Sequence, residues 1–281
     1  MTQSPAQPTQ LEFWNGPSAQ RWAEKYEALD RALAPFGEAS LDAAAVRAGE
    51  SALDVGTGCG GTLMKLAELV GPRGRACGVD ISAPMLARAR ERAAGIPQAS
   101  LIEADAGRHR FAEPFDLVYS RFGLMFFEDP VSAFQNLRGA LKADGRLIFV
   151  CWRAPEDNPW YVLPMQAIRS AWPDAPAAPA SDGPGPYAFA DAEKVRGILV
   201  RAGFAGIRVE RFDADVVLGR TPGEALEFAV SAGPAARMLA DAPGEVRERV
   251  RIYMSAALEP VFASGRYALR GSTWIVGARC G

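Results

Sequence analysis

The 281-residue chain has little of what metal chemistry needs. It contains one histidine, His109, and four cysteines, Cys59, Cys77, Cys151 and Cys280, with no CxxC pairing among them. That spacing excludes a zinc site, so no metal is expected, and the thiols read as the reduced cysteines of a cytoplasmic protein. No apolar run is long enough to span a bilayer, so no membrane partner is expected. The opening MTQSPAQPTQ lacks the basic start and apolar stretch of a secretory signal. No charge of one sign is in large excess: 31 basic and 33 acidic residues leave a formal charge of -2. Without a basic run interleaved with aromatics, nucleic acid is not an expected partner, and Arg88, Arg90 and Arg92 read as a solvated helix face.

A hydrophobic content of 49% can bury a full core, in one large domain or a domain with insertions. SAQRWAEKYEALDRALAPF places Trp22, Tyr26, Leu29, Leu33 and Phe36 on one helical stripe behind a Ser18 cap, and LDAAAVRAG predicts a second short helix ending at Gly49. From Ser51 the pattern alternates. SALDV, RACGVD, ASLIEAD, FDLVYSRF and GRLIFVCW read as strands. TLMKLAELVG, SAPMLARARERAAG (capped by Ser82) and PVSAFQNLRGALKADG read as the helices between them. Such alternation predicts right-handed crossovers and a mostly parallel sheet covered on both faces.

Residues 153–190 are proline-rich and read as an irregular insertion with one helix near 162–172. A helix in DAEKVRGILVRAGF, a long strand in IRVERFDADVVLG, two helices within 221–264 and a last strand, STWIVGARC, complete the chain. The expected organisation is an N-terminal helical cap, 1–50, and a main domain, 51–281, with cap insertions at about 153–190 and 221–264.

LDVGTGCGG, residues 53–61, fits two registers. Gly56-x-Gly58-x-Gly60 suits an S-adenosylmethionine (SAM) loop, whereas Gly56-x-Gly58-x-x-Gly61 is a dinucleotide fingerprint. The glycines permit a tight turn and close approach of main chain to ligand in either case. Asp54 is awkward beside a pyrophosphate but suits an ammonium and a sulfonium. Asp80 can accept hydrogen bonds from ribose hydroxyls of either cofactor, and Asp105 is placed to reach an adenine amino group.

Taken in order, LDVGTGCGG, GVDISAPMLARAR, EADA, FDLVYSRFGLMFFEDP, LKADGRLIFV and AGF resemble the class I SAM-dependent methyltransferases, in particular the ubiquinone and menaquinone biosynthesis branch. The resemblance covers roughly 51–209. It implies a Rossmann-like α/β fold whose seven-stranded, mostly parallel sheet has an antiparallel last strand, here STWIVGARC, with helical cap elements around it. Carried over, it implies that Asp54, Gly56 and Gly58 line the methionine portion of SAM, with Thr57 and Gly60 also in the cofactor site. Asp80, Ile81 and Met85 would meet the ribose and adenine, Asp105 and Ala106 would flank the adenine, and Ser120 or Arg121 would close the site. The added helical material at 221–264 departs from the family's minimal form, so the acceptor of that branch does not carry over.

Trp22, Tyr26, Met125, Trp152, Trp160 and Tyr187 are candidate walls of an acceptor pocket, with core packing as the alternative for each. Trp14 could join an N-terminal lid. His109 reads as a loop histidine rather than a base, so no catalytic residue is assigned. Alignment of the acceptor with the S–CH3 bond in a water-poor pocket would then supply most of the acceleration. The expected reaction is methyl transfer to a small organic molecule, with phenolic and polyketide-like rings among the candidates. A noncatalytic SAM-binding protein and a nicotinamide-dependent oxidoreductase are the alternatives, and the oligomeric state stays open, a homodimer included.

Overall fold

The computed structural model describes residues 9–176, 183–240 and 242–281; the polar start and part of the proline-rich insertion lie outside them. The N-terminal stripe forms α1 (Gln10–Asn15), α2 (Pro17–Glu24) and α3 (Tyr26–Ala44). Its breaks differ from the expected ones. α2 starts behind Gly16, with Pro17 in its first turn, and not behind Ser18. α3 runs through Pro35 to Ala44, absorbing the first four residues of the predicted second helix. A proline inside a helix forfeits one backbone hydrogen bond. Here the buried face of Leu29, Ala32, Phe36, Ser40 and Ala44 continues past it at helical spacing, and packing outweighs the lost bond.

The alternating region follows as β1 (Ser51–Val55), α4 (Gly61–Val70), β2 (Arg75–Asp80), α5 (Ala83–Ala93), β3 (Ala99–Glu103), β4 (Phe115–Arg121), α6 (Pro130–Gly139) and β5 (Leu141–Trp152). α6 stops short of the predicted helix because Leu141 pairs with Phe115, and a register shift then brings Arg146 opposite Leu117. The rest is α7 (Pro159–Ala171), α8 (Ala192–Arg201), β6 (Phe204–Gly219), α9 (Pro222–Ser231), α10 (Gly233–Leu239), α11 (Gly244–Leu258), β7 (Phe262–Ala263) and β8 (Arg266–Cys280). Three helices stand where two were expected within 221–264, because the backbone of Ala232 is extended and interrupts the run.

The strands order as β3-β2-β1-β4-β5-β8-β6, with the two-residue β7 paired to β8 outside that path. β1 to β5 pair in parallel, and β8 enters antiparallel between β5 and β6. This is the Rossmann-like α/β sheet the sequence predicts, with a longer last strand. Side chains of the central strands alternate between two apolar layers. Leu53, Val55, Val118 and Phe149 join the larger cluster; Ala52, Leu117, Tyr119 and Ile148 pack with α4 in the smaller one. Burial on both faces explains why these strands read as nearly continuous apolar runs. α7 packs on β8 and α9 on β6, and α10 and α11 pack against both of these helices. Strand order reverses between β1 and β4, and ligands of open α/β sheets bind in the crevice at the carboxyl ends of such a pair.

Candidate active site

That crevice is formed by two loops in backbone contact. Gly56, Gly58 and Gly60 all adopt left-handed backbone angles, with φ of 69°, 54° and 81°. Gly56 also lies against Gly123 of the loop after β4, and a Cβ on Gly56 would sit 2.9 Å from the Gly123 Cα. Gly61 has no such angle, yet a Cβ there would fall 2.5 Å from Asp30 Oδ1. The two glycine registers thus have separate causes: three positions need a backbone conformation, and the fourth must admit a neighbouring carboxylate.

The two strand-end carboxylates are buried. Asp54 Oδ2 accepts hydrogen bonds from Thr57 Oγ1 at 2.8 Å and Thr62 Oγ1 at 2.6 Å. Its Oδ1 is buried with no hydrogen-bond partner among the described residues. Burial pushes the Asp54 carboxyl up to about 6 against the opposing threonine bonds. Asp80 Oδ2 accepts from Gly58 N at 2.8 Å and its Oδ1 from Ser82 N at 2.9 Å. Burial also raises this carboxyl, opposed by those backbone bonds. Met85 is buried on the first turns of α5 and reaches Gly58, whose Cβ would lie 3.2 Å from the Met85 Cε.

The β4 exit supplies the opposite rim. Ser120 is buried; its Oγ donates to Val55 O at 2.7 Å and accepts from Gly123 N at 3.2 Å, tying the ends of β1 and β4 together. Arg121 donates to Asp30 Oδ1 at 2.7 Å, and Arg92 donates to Asp30 Oδ2 at 3.0 Å and to Cys59 O at 2.8 Å. Phe122 has a left-handed φ of 62°, uncommon for a bulky residue, and its ring stacks on Trp152 at 4.2 Å. The Asp30 carboxylate, paired with both arginines, occupies the N-terminus of α4, the place a dinucleotide's pyrophosphate would take. The orphan oxygen of Asp54, in contrast, fits a ligand carrying positive charge beside the loop.

Residues 52–145 match the family model described as a methyltransferase domain. The chain is 27% identical over 217 residues to the ubiquinone/menaquinone biosynthesis C-methyltransferase of Klebsiella pneumoniae, a match covering 69% of this chain and 84% of that protein. The chain is thus similar to class I SAM-dependent methyltransferases, with the family model matched over its 52–145 segment. It is also 36% identical over 118 residues to the aklanonic acid methyltransferase of Streptomyces sp. strain C5, covering 41% of this chain and about half, 54%, of that protein. Among solved structures, the phosphoethanolamine N-methyltransferase 2 of Haemonchus contortus aligns at a TM-score of 0.57 and 18% identity, covering 96% of this chain and 58% of that one. The cyclase SpnF aligns at 0.56 and 16% identity over 97% of both chains. These two likenesses concern the fold.

The fold brings Asp54, Gly56, Thr57, Gly58, Gly60, Asp80, Ile81, Met85, Ser120 and Arg121 to the carboxyl ends of β1, β2 and β4. Ala106 is buried beyond β3, and its carbonyl accepts from Asn136 Nδ2. The Asp105 carboxylate is half-exposed and bonded to Gly107 N at 2.8 Å. His109 packs edge-on against Phe111 at 4.8 Å. Trp22 and Tyr26 lie half-buried in the N-terminal cap, where Trp22 meets Trp14 at 6.0 Å and the Tyr26 ring carries Arg92 at 4.7 Å. Met125 and Trp152 are buried. Trp160 packs on Trp152 at 4.8 Å, and Tyr187 on Tyr161 at 5.0 Å.

Sequence reasoning misses Asp30, Phe122 and Gly123. Gly123 follows a strand at the carboxyl edge, which is a usable signal. Asp30 lies in an ordinary amphipathic helix, and only the fold brings it to the glycine loop.

Proposed function

We propose that the protein transfers the methyl group of SAM to a small, largely apolar, ring-bearing acceptor. The unpartnered, buried Oδ1 of Asp54 beside three left-handed glycines carries the cofactor half of this reading. Bound SAM supplies an electrophilic methyl on a sulfonium. Asp54 and the glycine backbone would face its methionine portion, with Asp80 on the ribose hydroxyls and Ile81 and Met85 against the adenosyl group. Asp105 and Ala106 would flank the adenine. Ser120 would hold the two rims together, and Arg121 would keep Asp30 over the loop.

The acceptor half rests on a cleft between α7, the end of β6, α9 and α10, lined by Trp160, Tyr161, Pro164, Met165, Leu218 and Phe228 together with three alanines. This lining contains no carboxylate, ammonium or guanidinium group. The contiguous rings of Trp160, Trp152 and Phe122, the last two stacked, lead from it to the β4 exit. Walls of this chemistry suit a flat apolar molecule, and the cleft, about 10 Å³ in this structure, must widen to admit one. Polyketide rings and quinones fit that description, and an aklanonic acid methyltransferase and a quinone-pathway enzyme are among the relatives. Burial raises both the Tyr161 and Tyr187 hydroxyls, so each stays protonated at neutral pH and serves as a donor, not a base. The residues that wall the cleft would then align an acceptor that brings its own lone pair or anion, and exclude water.

No helix among the described residues is long and apolar enough to cross a membrane. The four free thiols are in keeping with the cytoplasmic setting proposed for the protein. With its near-balanced charge the chain suits a small-molecule partner and not nucleic acid. Calorimetric titration with S-adenosylhomocysteine and, separately, NAD(H) and NADP(H) tests the cofactor half, with Asp80→Ala as control. Micromolar binding of the first ligand alone is expected; binding of a nicotinamide nucleotide alone would overturn the reading. Product formation from ring-bearing acceptors with labelled SAM then separates an enzyme from a noncatalytic SAM-binding protein.

A further inference from the structure

α5 begins behind Ser82, a residue type that normally caps a helix, yet no side-chain bond from Ser82 closes it, and its buried Oγ has no partner among the described residues. The cap comes from another element. Asn15, the last residue of α1, lays its carboxamide along this turn. Its Oδ1 accepts from Ala83 N at 3.0 Å, and its Nδ2 donates to Ile81 O at 2.9 Å and to Leu11 O of its own helix at 2.9 Å. The same turn carries Asp80, whose carboxylate holds Ser82 N. Next to Asn15 in sequence, the Trp14 ring meets Phe126 edge-on at 5.1 Å, on the short helical turn after β4. α1 therefore touches both rims of the crevice, the β2 exit through Asn15 and the β4 exit through Trp14.

We infer that Asn15 is a positioning residue for the nucleoside half of the cofactor. It acts as a borrowed N-cap that holds the Asp80–Ile81–Ser82 turn and fastens α1 across the crevice. The inference rests on the SAM reading of the site. Asn15 is exposed, so water competes for its bonds and the latch can open. If docked α1 favours the turn that receives the nucleoside, bound nucleoside must favour docked α1 by the same factor.

Hydrogen exchange on the full chain, with and without S-adenosylhomocysteine, reads both sides of this linkage. In the wild type the ligand should slow exchange over residues 10–24 as well as 81–86. In Asn15→Ala the ligand-dependent slowing over 10–24 should disappear and the Kd should rise about fivefold, the size of a lost helix cap. A purely structural role for Asn15 would change exchange of the free protein but leave the ligand-dependent increment intact. Wild-type affinity in Asn15→Ala would overturn the inference, as would wild-type binding with no slowing over 10–24. This last arm needs no variant and decides the matter even if Asn15→Ala does not fold. Failure of the wild type to bind S-adenosylhomocysteine would sink the cofactor reading and this inference together.

Discussion

The crevice above β1 and β4 and the cleft beside α7 and α9 are made of different materials. Backbone and buried charge form the first: glycines at left-handed angles, carboxylates on amide hydrogens, one loop lying on another. The second is made of rings, methionine and small side chains, none bearing a formal charge at neutral pH. A backbone site admits no extra atom and reports a lost polar partner at once. A site of apolar side chains changes shape with each residue, and volume-conserving swaps in such surroundings usually cost little. One scaffold can therefore keep its cofactor while its acceptor changes.

The sharpest way to break this contrast is at Asp80. Asp80→Ala should weaken S-adenosylhomocysteine by about 100-fold in calorimetry, since two hydrogen bonds to a charged group are at stake. Trp160→Ala should show the opposite pattern. Removing this half-buried ring from Trp152 should lower unfolding free energy by about 2 kcal/mol in denaturant titration, below the cost of a fully buried ring. Affinity for S-adenosylhomocysteine should stay within about twofold, because the ring belongs to the cleft. Equal losses in both assays for either variant would erase the distinction.

A smaller effect sharpens it through pH. The Asp54 carboxyl is raised to about 6 in the free protein, so it is neutral below that pH and charged above it. A cationic ligand favours the charged form, so SAM affinity should be level above about pH 7 and fall about tenfold from pH 7 to 5. Asp54→Asn should remove that slope. Because the carboxyl is raised, its own contribution to stability runs the other way: it favours the fold below the unfolded value and is lost as pH rises towards 6. The smallest effect belongs to His109, beyond β3 against Phe111. His109→Ala should leave the Kd of S-adenosylhomocysteine within about twofold. A large loss there would bring the histidine back into the site.

Much of the crevice is legible in the sequence, because its requirements are local. Three glycines within five residues, an acid before them and another at the end of the next strand are demands that backbone geometry and charge place on neighbours along the chain. The strands and crossover helices are legible for the same reason. Helix limits are less so. α3 continues through Pro35, α6 yields to a strand at Leu141, and Ser82 stands at a cap position without capping. In each case a partner far along the chain decides, through packing on the sheet, pairing with Phe115, or the carboxamide of Asn15.

The sequence by itself determined the order of strands and helices, the glycine turn and the positions of Asp54 and Asp80 at strand ends. These follow from periodicity and from conformations that only certain residues adopt. Tertiary structure alone decided that Asp30 faces Gly61, that Gly123 lies on Gly56, and that α1 bridges the two rims. Those contacts join residues tens of positions apart, and no local preference encodes them. They arise because the sheet brings the carboxyl ends of β1, β2 and β4 together and α3 buries its apolar stripe against β4, β5, β8 and β6 beside them.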